Sequence, residues 1–178
     1  MTNNDCLYEV DFYLKDEAAT IGLAQQLAAS LSPHSTPGDF SGRIHLSGDL
    51  GAGKTTLVRA LLRACGVTGR IKSPSYALLE SYKVSNLYFY HLDFYRFSEA
   101  RDWEDAGFRD ILQKQALVLI EWPEQAGARL PSPDLEICLA YADAGRQAHF
   151  RAYSDKGRSW LKTLEQTDRQ APQPPGAG

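Results

Sequence analysis

At 178 residues, 43% of them hydrophobic, the chain has enough apolar material for one domain with its own core. A formal net charge of −3 excludes a global positive field that would draw it onto nucleic acid or acidic membranes. No apolar run approaches membrane-spanning length, Asp5 and Glu9 stand where a secretory signal would be positive, and Cys6, Cys65 and Cys138 form no C-x-x-C pair, so the expectation is a soluble protein of a reducing cytoplasm without a disulfide or zinc framework.

In chain order, Val10–Leu14 alternates as a first strand. Asp16 is placed to cap a helix running to about Leu31, with Ile21, Ala24, Leu27, Ala28 and Leu31 inward. Ser32 to Gly42, with two prolines and two glycines, is a loop, and Arg43–Ser47 a short strand. A helix follows from Thr56 to Cys65, stopped by Gly66, with Arg59, Arg63, Arg70 and Lys72 as a local basic cluster that reads as a solvated face. Ala77–Tyr82 and Leu87–Asp93 are strands joined by a turn at Ser85-Asn86. Glu99–Leu112 is helical but broken near Gly107. Ala116–Ile120 is a continuous apolar run, the mark of a strand buried on both faces of a parallel sheet. Leu135–Tyr141 and Gln147–Tyr153 form an antiparallel hairpin, expected at the sheet's edge, and Ser159–Leu164 a short last helix. Residues 1–168 therefore read as a single domain, and 169–178, rich in Pro and Gly, as a disordered tail.

Between the second strand and its helix stands Gly48-Asp49-Leu50-Gly51-Ala52-Gly53-Lys54-Thr55, the G-x-x-x-x-G-K-[ST] phosphate-binding loop. Gly48 suits the turn off a strand, and Gly51 and Gly53 can take positive φ where a Cβ would clash. Successive backbone N–H groups then converge on phosphate oxygens at a helix N-terminus. Lys54 adds a cation for the β- and γ-phosphates, and Thr55 a hydroxyl for Mg²⁺. With the flanking elements, this predicts a three-layer α/β P-loop NTPase fold with a mostly parallel central sheet and an antiparallel C-terminal hairpin.

Hydrolysis needs an acidic group near the metal and something to position the nucleophile. Two carboxylates end apolar strands, where the crevice of an open α/β sheet lies. Glu121, after the most buried strand, fits a Walker B acid, and Asp93 is the second candidate. Ser75, in Ser73-Pro74-Ser75-Tyr76, occupies a switch position from which a hydroxyl reaches metal or γ-phosphate. Trp122 is placed either to stack on a base or to fill a core gap.

The blocks Gly48–Thr56, Ser73-Pro74-Ser75-Tyr76, His91-Leu92-Asp93-Phe94-Tyr95-Arg96 and Glu121-Trp122-Pro123, in this order and spacing, resemble the TsaE (YjeE) family of bacterial P-loop ATPases. The resemblance runs from about Tyr13 to Arg146. It implies an ATPase that joins TsaB and TsaD, the latter transferring threonylcarbamoyl to adenosine 37 of tRNAs reading codons that begin with A. The ATPase resets or activates that complex without itself making the modification bond, and meets tRNA indirectly through it. By matched position, Thr55 and Glu121 would hold Mg²⁺, Lys54 the phosphates of ATP, and Asp93 would serve hydrolysis. Gly48, Gly51, Ala52, Gly53 and Thr56 line the phosphates in this reading, with Ser75 and Trp122 near the nucleotide and Glu17 and Arg146 bordering it. The family usually has Thr where Ser75 stands and Leu where Phe94 stands, and the Pro-rich tail has no counterpart in it. A small-molecule P-loop kinase is the alternative, but the chain has no Arg-dense lid. The guanine-reading N-K-x-D pattern of a GTPase-like switch is absent.

Overall fold

The computed structural model describes residues 5–31, 40–99 and 101–170. The elements follow in the order β1 (Tyr8–Leu14), α1 (Glu17–Leu31), β2 (Gly42–Gly48), α2 (Lys54–Ala64), β3 (Leu79–Val84), β4 (Leu87–Asp93), α3 (Asp102–Asp105), α4 (Phe108–Leu112), β5 (Leu117–Glu121), a 3-10 strap (Pro123–Arg129), β6 (Leu135–Ala142), β7 (Gly145–Ala152) and α5 (Asp155–Gln170). All seven strands join one sheet in the order β1-β7-β6-β2-β5-β4-β3. The middle strands β6, β2, β5 and β4 are mutually parallel, and the outer pairings are antiparallel. All five residues of β5 are buried, as its unbroken apolar run requires of a strand covered on both faces.

One face of the sheet carries the larger core. Ile44, Leu46, Leu119, Ile137 and Phe150 point to it, and α1, α2 and α5 cover it. Across β1 and β7, Phe12 and Phe150 meet edge to face with ring centroids 5.2 Å apart. Among the described residues, the opposite face is covered mainly over β4 and β5, where Trp103, Phe108 and Leu112 of α3 and α4 pack with Phe94 and Phe97 against Leu92, Val118 and Ile120. Those two helices have four and five residues, too few to hold themselves, so burial of their large side chains, about 2 kcal/mol each, fixes them. Beyond β2, the same face carries polar side chains, with Glu136 bonded to Arg151 and Tyr153, and His149 to Asp11. The layering is thus three deep around β4 and β5 and two deep beside them.

Several expectations change. The β6–β7 hairpin is not an edge: β6 pairs with β2, β7 pairs with β1, and the N-terminal strand closes the sheet on that side. Ile21 is 38% exposed and Leu23 is buried in its place, because α1 packs between α2 and α5 and is rotated accordingly. Cys6 is exposed, whereas Cys65 and Cys138 are partly buried, and all three are free. The last helix is far longer than Ser159–Leu164. Ser154 caps it, accepting from the Gly157 N–H at 3.0 Å, and only Gly157, Leu161 and Leu164 are buried along it. Arg169 and Gln170 belong to α5, and the rest of the expected tail lies outside the described residues, as do residues 32–39 of the expected loop. No helix among the described residues is long and apolar enough to cross a membrane.

Asp134 ties β2, β6 and α5 together. Its carboxylate accepts from the Arg43 N–H at 2.8 Å and the Ser154 hydroxyl at 2.6 Å. Gly157 passes so close that a Cβ there would overlap the Asp134 carbonyl. Gly157→Ala would gain about 1 kcal/mol of helix propensity but overpack a backbone contact costing about 1–3 kcal/mol. Thermal denaturation is expected to show a net loss of stability, and a raised melting temperature would mean that α5 has room to move.

His45, on the less covered face of β2, is buried with no partner for its Nε2. Burial, and then the Arg43 charge, push its imidazole down to about 3. The unfolded chain takes a proton near 6.5 and the folded one only near 3, so stability attributable to His45 is complete above 6.5 and falls as pH drops through that window. His45→Leu is expected to flatten the acid limb of a stability–pH curve between pH 6 and 4. An unchanged slope would remove His45 as a source of acid lability.

Candidate nucleotide site

The parallel pairing of β2, β5 and β4 brings three strand ends to one level. Asp93 and Glu121 are register partners, and Glu121 is also paired with Leu46, two residues before Gly48. The P-loop therefore leaves the sheet beside both carboxylates. Gly48 is required by proximity as much as by its turn: a Cβ there would collide with the Leu139 carbonyl of β6. The loop then enters α2 through Gly53 in the left-handed region, at φ 106°.

Lys54 is 4% exposed, and its ammonium donates to the carbonyls of Gly48 at 2.5 Å and Asp49 at 2.9 Å. It also sits 3.9 Å from the centroid of the Trp122 ring. Burial pushes its pKa down, while Glu121, Glu124, Asp93 and Asp49 pull it back up. The Thr55 hydroxyl lies 2.9 Å from each carboxylate oxygen of Glu121. Asp93 accepts from the Ser75 hydroxyl at 3.0 Å and from the Tyr95 N–H at 2.9 Å, and Ser73 and Ser75 share a 2.7 Å hydrogen bond. Asp93 and Glu121 are both nearly fully buried.

Two cavities flank the loop. One, of about 210 Å³, is lined by Lys54, Thr55, Ser75, Asp93, Glu121 and Trp122 among others. The second, of about 310 Å³, is lined by residues including Asp16, Glu17, Ala52, Gly145 and Arg146. Gly51, Gly53 and Thr56 line both, so a molecule with a phosphate tail and a nucleoside body can straddle the loop. Of the residues singled out in the sequence, only Gly48 lines neither cavity. A larger cleft of about 550 Å³ lies over the strap, bordered by Glu124 and Glu136 and, among the described residues, by no Lys or Arg, which suits polyphosphate poorly.

Three contributors escaped the sequence reading. Tyr95 lines the smaller cavity and packs on Trp122, with ring centroids 4.9 Å apart. Trp122 adopts φ 58° and ψ 49°, an outlier for a bulky residue, and this turn carries its indole back over Lys54. Tyr141 of β6 donates to the Leu50 carbonyl at 3.0 Å, and the Arg146 guanidinium lies 4.1 Å from its ring centroid, so the hairpin clasps the loop. Nothing local in the sequence signals that long-range contact. His91, buried beside Glu121 at 2.8 Å, did have a signal: an imidazole inside an otherwise apolar strand. In the basic cluster, Arg63 of α2 donates to the carbonyls of Val67 and Gly69 and so holds the segment that follows the helix.

Residues 14–148 match the family described as "Threonylcarbamoyl adenosine biosynthesis protein TsaE". A "tRNA threonylcarbamoyladenosine biosynthesis protein TsaE" of Haemophilus influenzae is 34% identical over 152 residues, spanning 85% of this chain and 95% of that one. A protein of the same description from Bacillus subtilis is 32% identical over 133 residues, 74% of this chain and 81% of its own. The crystal structure of Bacillus subtilis YdiB aligns with a TM-score of 0.72 at 25% identity, over 90% of this chain and 97% of that one. The P-loop, both strand-end carboxylates, Tyr141 and Arg146 all fall inside the matched span, and the chain belongs to the TsaE family of threonylcarbamoyl adenosine biosynthesis proteins.

Proposed function

We propose that this chain is a Mg²⁺-dependent ATPase of tRNA threonylcarbamoyladenosine synthesis, working in the cytoplasm with TsaB and TsaD and meeting tRNA through that assembly. The pathway follows from the names its relatives carry. One observation supports the ATPase reading above the others: Lys54, Thr55, Ser75, Asp93 and Glu121 line a single cavity at the mouth of the P-loop.

The donor set suits magnesium. Thr55 and Glu121 offer hard oxygens within hydrogen-bond distance of each other. Among the described residues no cluster of three or more His, Cys, Asp or Glu could hold a metal by itself. Mg²⁺ is commonly held that way, by one or two protein oxygens with phosphate and water completing its shell. When bound, it would neutralise charge building on the phosphates. The rest falls to the chain. Lys54 would exchange the carbonyls of Gly48 and Asp49 for phosphate oxygens, a charge-assisted contact. Asp93, held by Ser75 and Tyr95, would orient the attacking water, and Trp122 and Tyr95 would wall the site from solvent.

Among the described residues, Lys54 is the only Lys or Arg lining that cavity. An arginine brought in by a partner is worth roughly 10³-fold or more in related phosphoryl transfers. Slow hydrolysis by the isolated chain and a large rise with TsaB and TsaD present are therefore expected in a steady-state phosphate-release assay. No response to the partners would sink the proposed role.

The two carboxylates should separate by experiment. Glu121→Ala is expected to raise the Mg²⁺ concentration needed for ATP binding and to abolish turnover. Asp93→Asn keeps the shape and is expected to leave Mg²⁺–ATP affinity near wild type while lowering turnover by about 10²-fold or more. Calorimetric ATP titrations at several Mg²⁺ concentrations distinguish them. The reverse pattern would exchange the two roles.

A further inference from the structure

Rows of side chains run across the parallel strands beneath the P-loop. In one row Asp93, Glu121 and Leu46 are neighbours, and in the row below it His91, Leu119 and Ile44. The lower row is core: Leu119 and Ile44 are fully buried, and so is Phe89 two residues before His91. An imidazole at 0% exposure in such a row pays desolvation that a leucine would not. Among the described residues, the imidazole's one hydrogen bond is with Glu121, Nε2 to Oε1 at 2.8 Å, and its Nδ1 has no partner. A carboxylate only accepts, so Nε2 carries the hydrogen.

What this bond adds is visible in the contacts of Glu121. Thr55 Oγ1 is 2.9 Å from both carboxylate oxygens, so Thr55 does not select between them. His91 touches Oε1 alone and breaks that symmetry. Oε2 is left with the Thr55 hydroxyl as its hydrogen-bond partner. We infer that His91 is a positioning residue: it fixes the rotation of the Glu121 carboxylate so that Oε2, beside Thr55, stays available to Mg²⁺. This rests on the proposed role of Glu121 as a metal-holding group. Outer partners of this kind orient ligating groups, and their loss typically costs about 10- to 100-fold in metal affinity.

The test uses calorimetric ATP binding to the full chain, in EDTA and across a Mg²⁺ series, in wild type, His91→Leu, His91→Gln and the same changes combined with Glu121→Gln. His91→Leu is expected to raise the Mg²⁺ midpoint about tenfold and to leave metal-free ATP affinity unchanged. His91→Gln, whose amide N–H can reach the place of Nε2–H, is expected to restore most of the shift. In the Glu121→Gln background His91→Leu should add nothing, because its effect passes through Glu121. If His91→Leu does not fold, His91→Asn takes its place, since the shorter amide falls short of Oε1, and the same shift is expected. An unmoved midpoint, an equal loss in EDTA, no rescue by Gln, or an additive effect on Glu121→Gln would each overturn the inference. A Glu121→Gln midpoint equal to wild type would overturn the metal assignment of Glu121 itself, and the inference with it.

Discussion

The site depends on the parallel register of β2, β5 and β4. Parallel strands end on the same side, and their hydrogen-bond register sets how far each reaches before its loop begins. Here Asp93 and Glu121 come level, next to the strand that launches the P-loop. A shift of one residue in β4 would turn Asp93 into the opposite core and bring an apolar neighbour to the loop. Apolar cores on both faces hold that register, with Phe89, Leu119, Ile44 and Leu46 beneath α1 and α2 and Leu92, Val118 and Ile120 beneath α3 and α4.

On this platform the charged groups satisfy one another. Lys54 is held by two loop carbonyls and the Trp122 ring, Thr55 by Glu121, Glu121 by His91, and Ser75 by Asp93. Unpaired, any of the buried ones, Lys54, His91, Asp93 or Glu121, would cost of order 1–3 kcal/mol or more. Phosphate and metal would therefore exchange existing partners, so affinity is set by a difference between two well-bonded states. The left-handed backbone at Trp122 belongs to the same design, since without it the indole could not return over Lys54.

Much of this was legible in the chain. The P-loop, the buried strand ending at Glu121, the strand Leu87–Asp93 and the helix break at Gly107 rest on local signals: glycine conformation, period-two or unbroken apolar runs, and strand-end carboxylates. Where the reading failed, the signal was not local. The N-terminal strand takes the sheet edge from the hairpin through antiparallel pairing across more than 130 residues, from Leu14 to Arg146 and Tyr8 to Ala152. The helix α5 presents a sparse apolar stripe of Leu161 and Leu164, and a glycine, a poor helix former, stands in its first turn because of its contact with Asp134.

The sequence by itself determined the candidate groups, a phosphate-loop motif with its lysine and threonine and two acids at strand ends, because each is marked by particular residue types at a short, fixed spacing. Only the tertiary structure decided that His91 lies against Glu121 and that Tyr141 closes over the loop from a distant hairpin. Those contacts lie 30 to 91 positions apart along the chain. They arise from strand order and register, which long-range burial sets and no local pattern encodes.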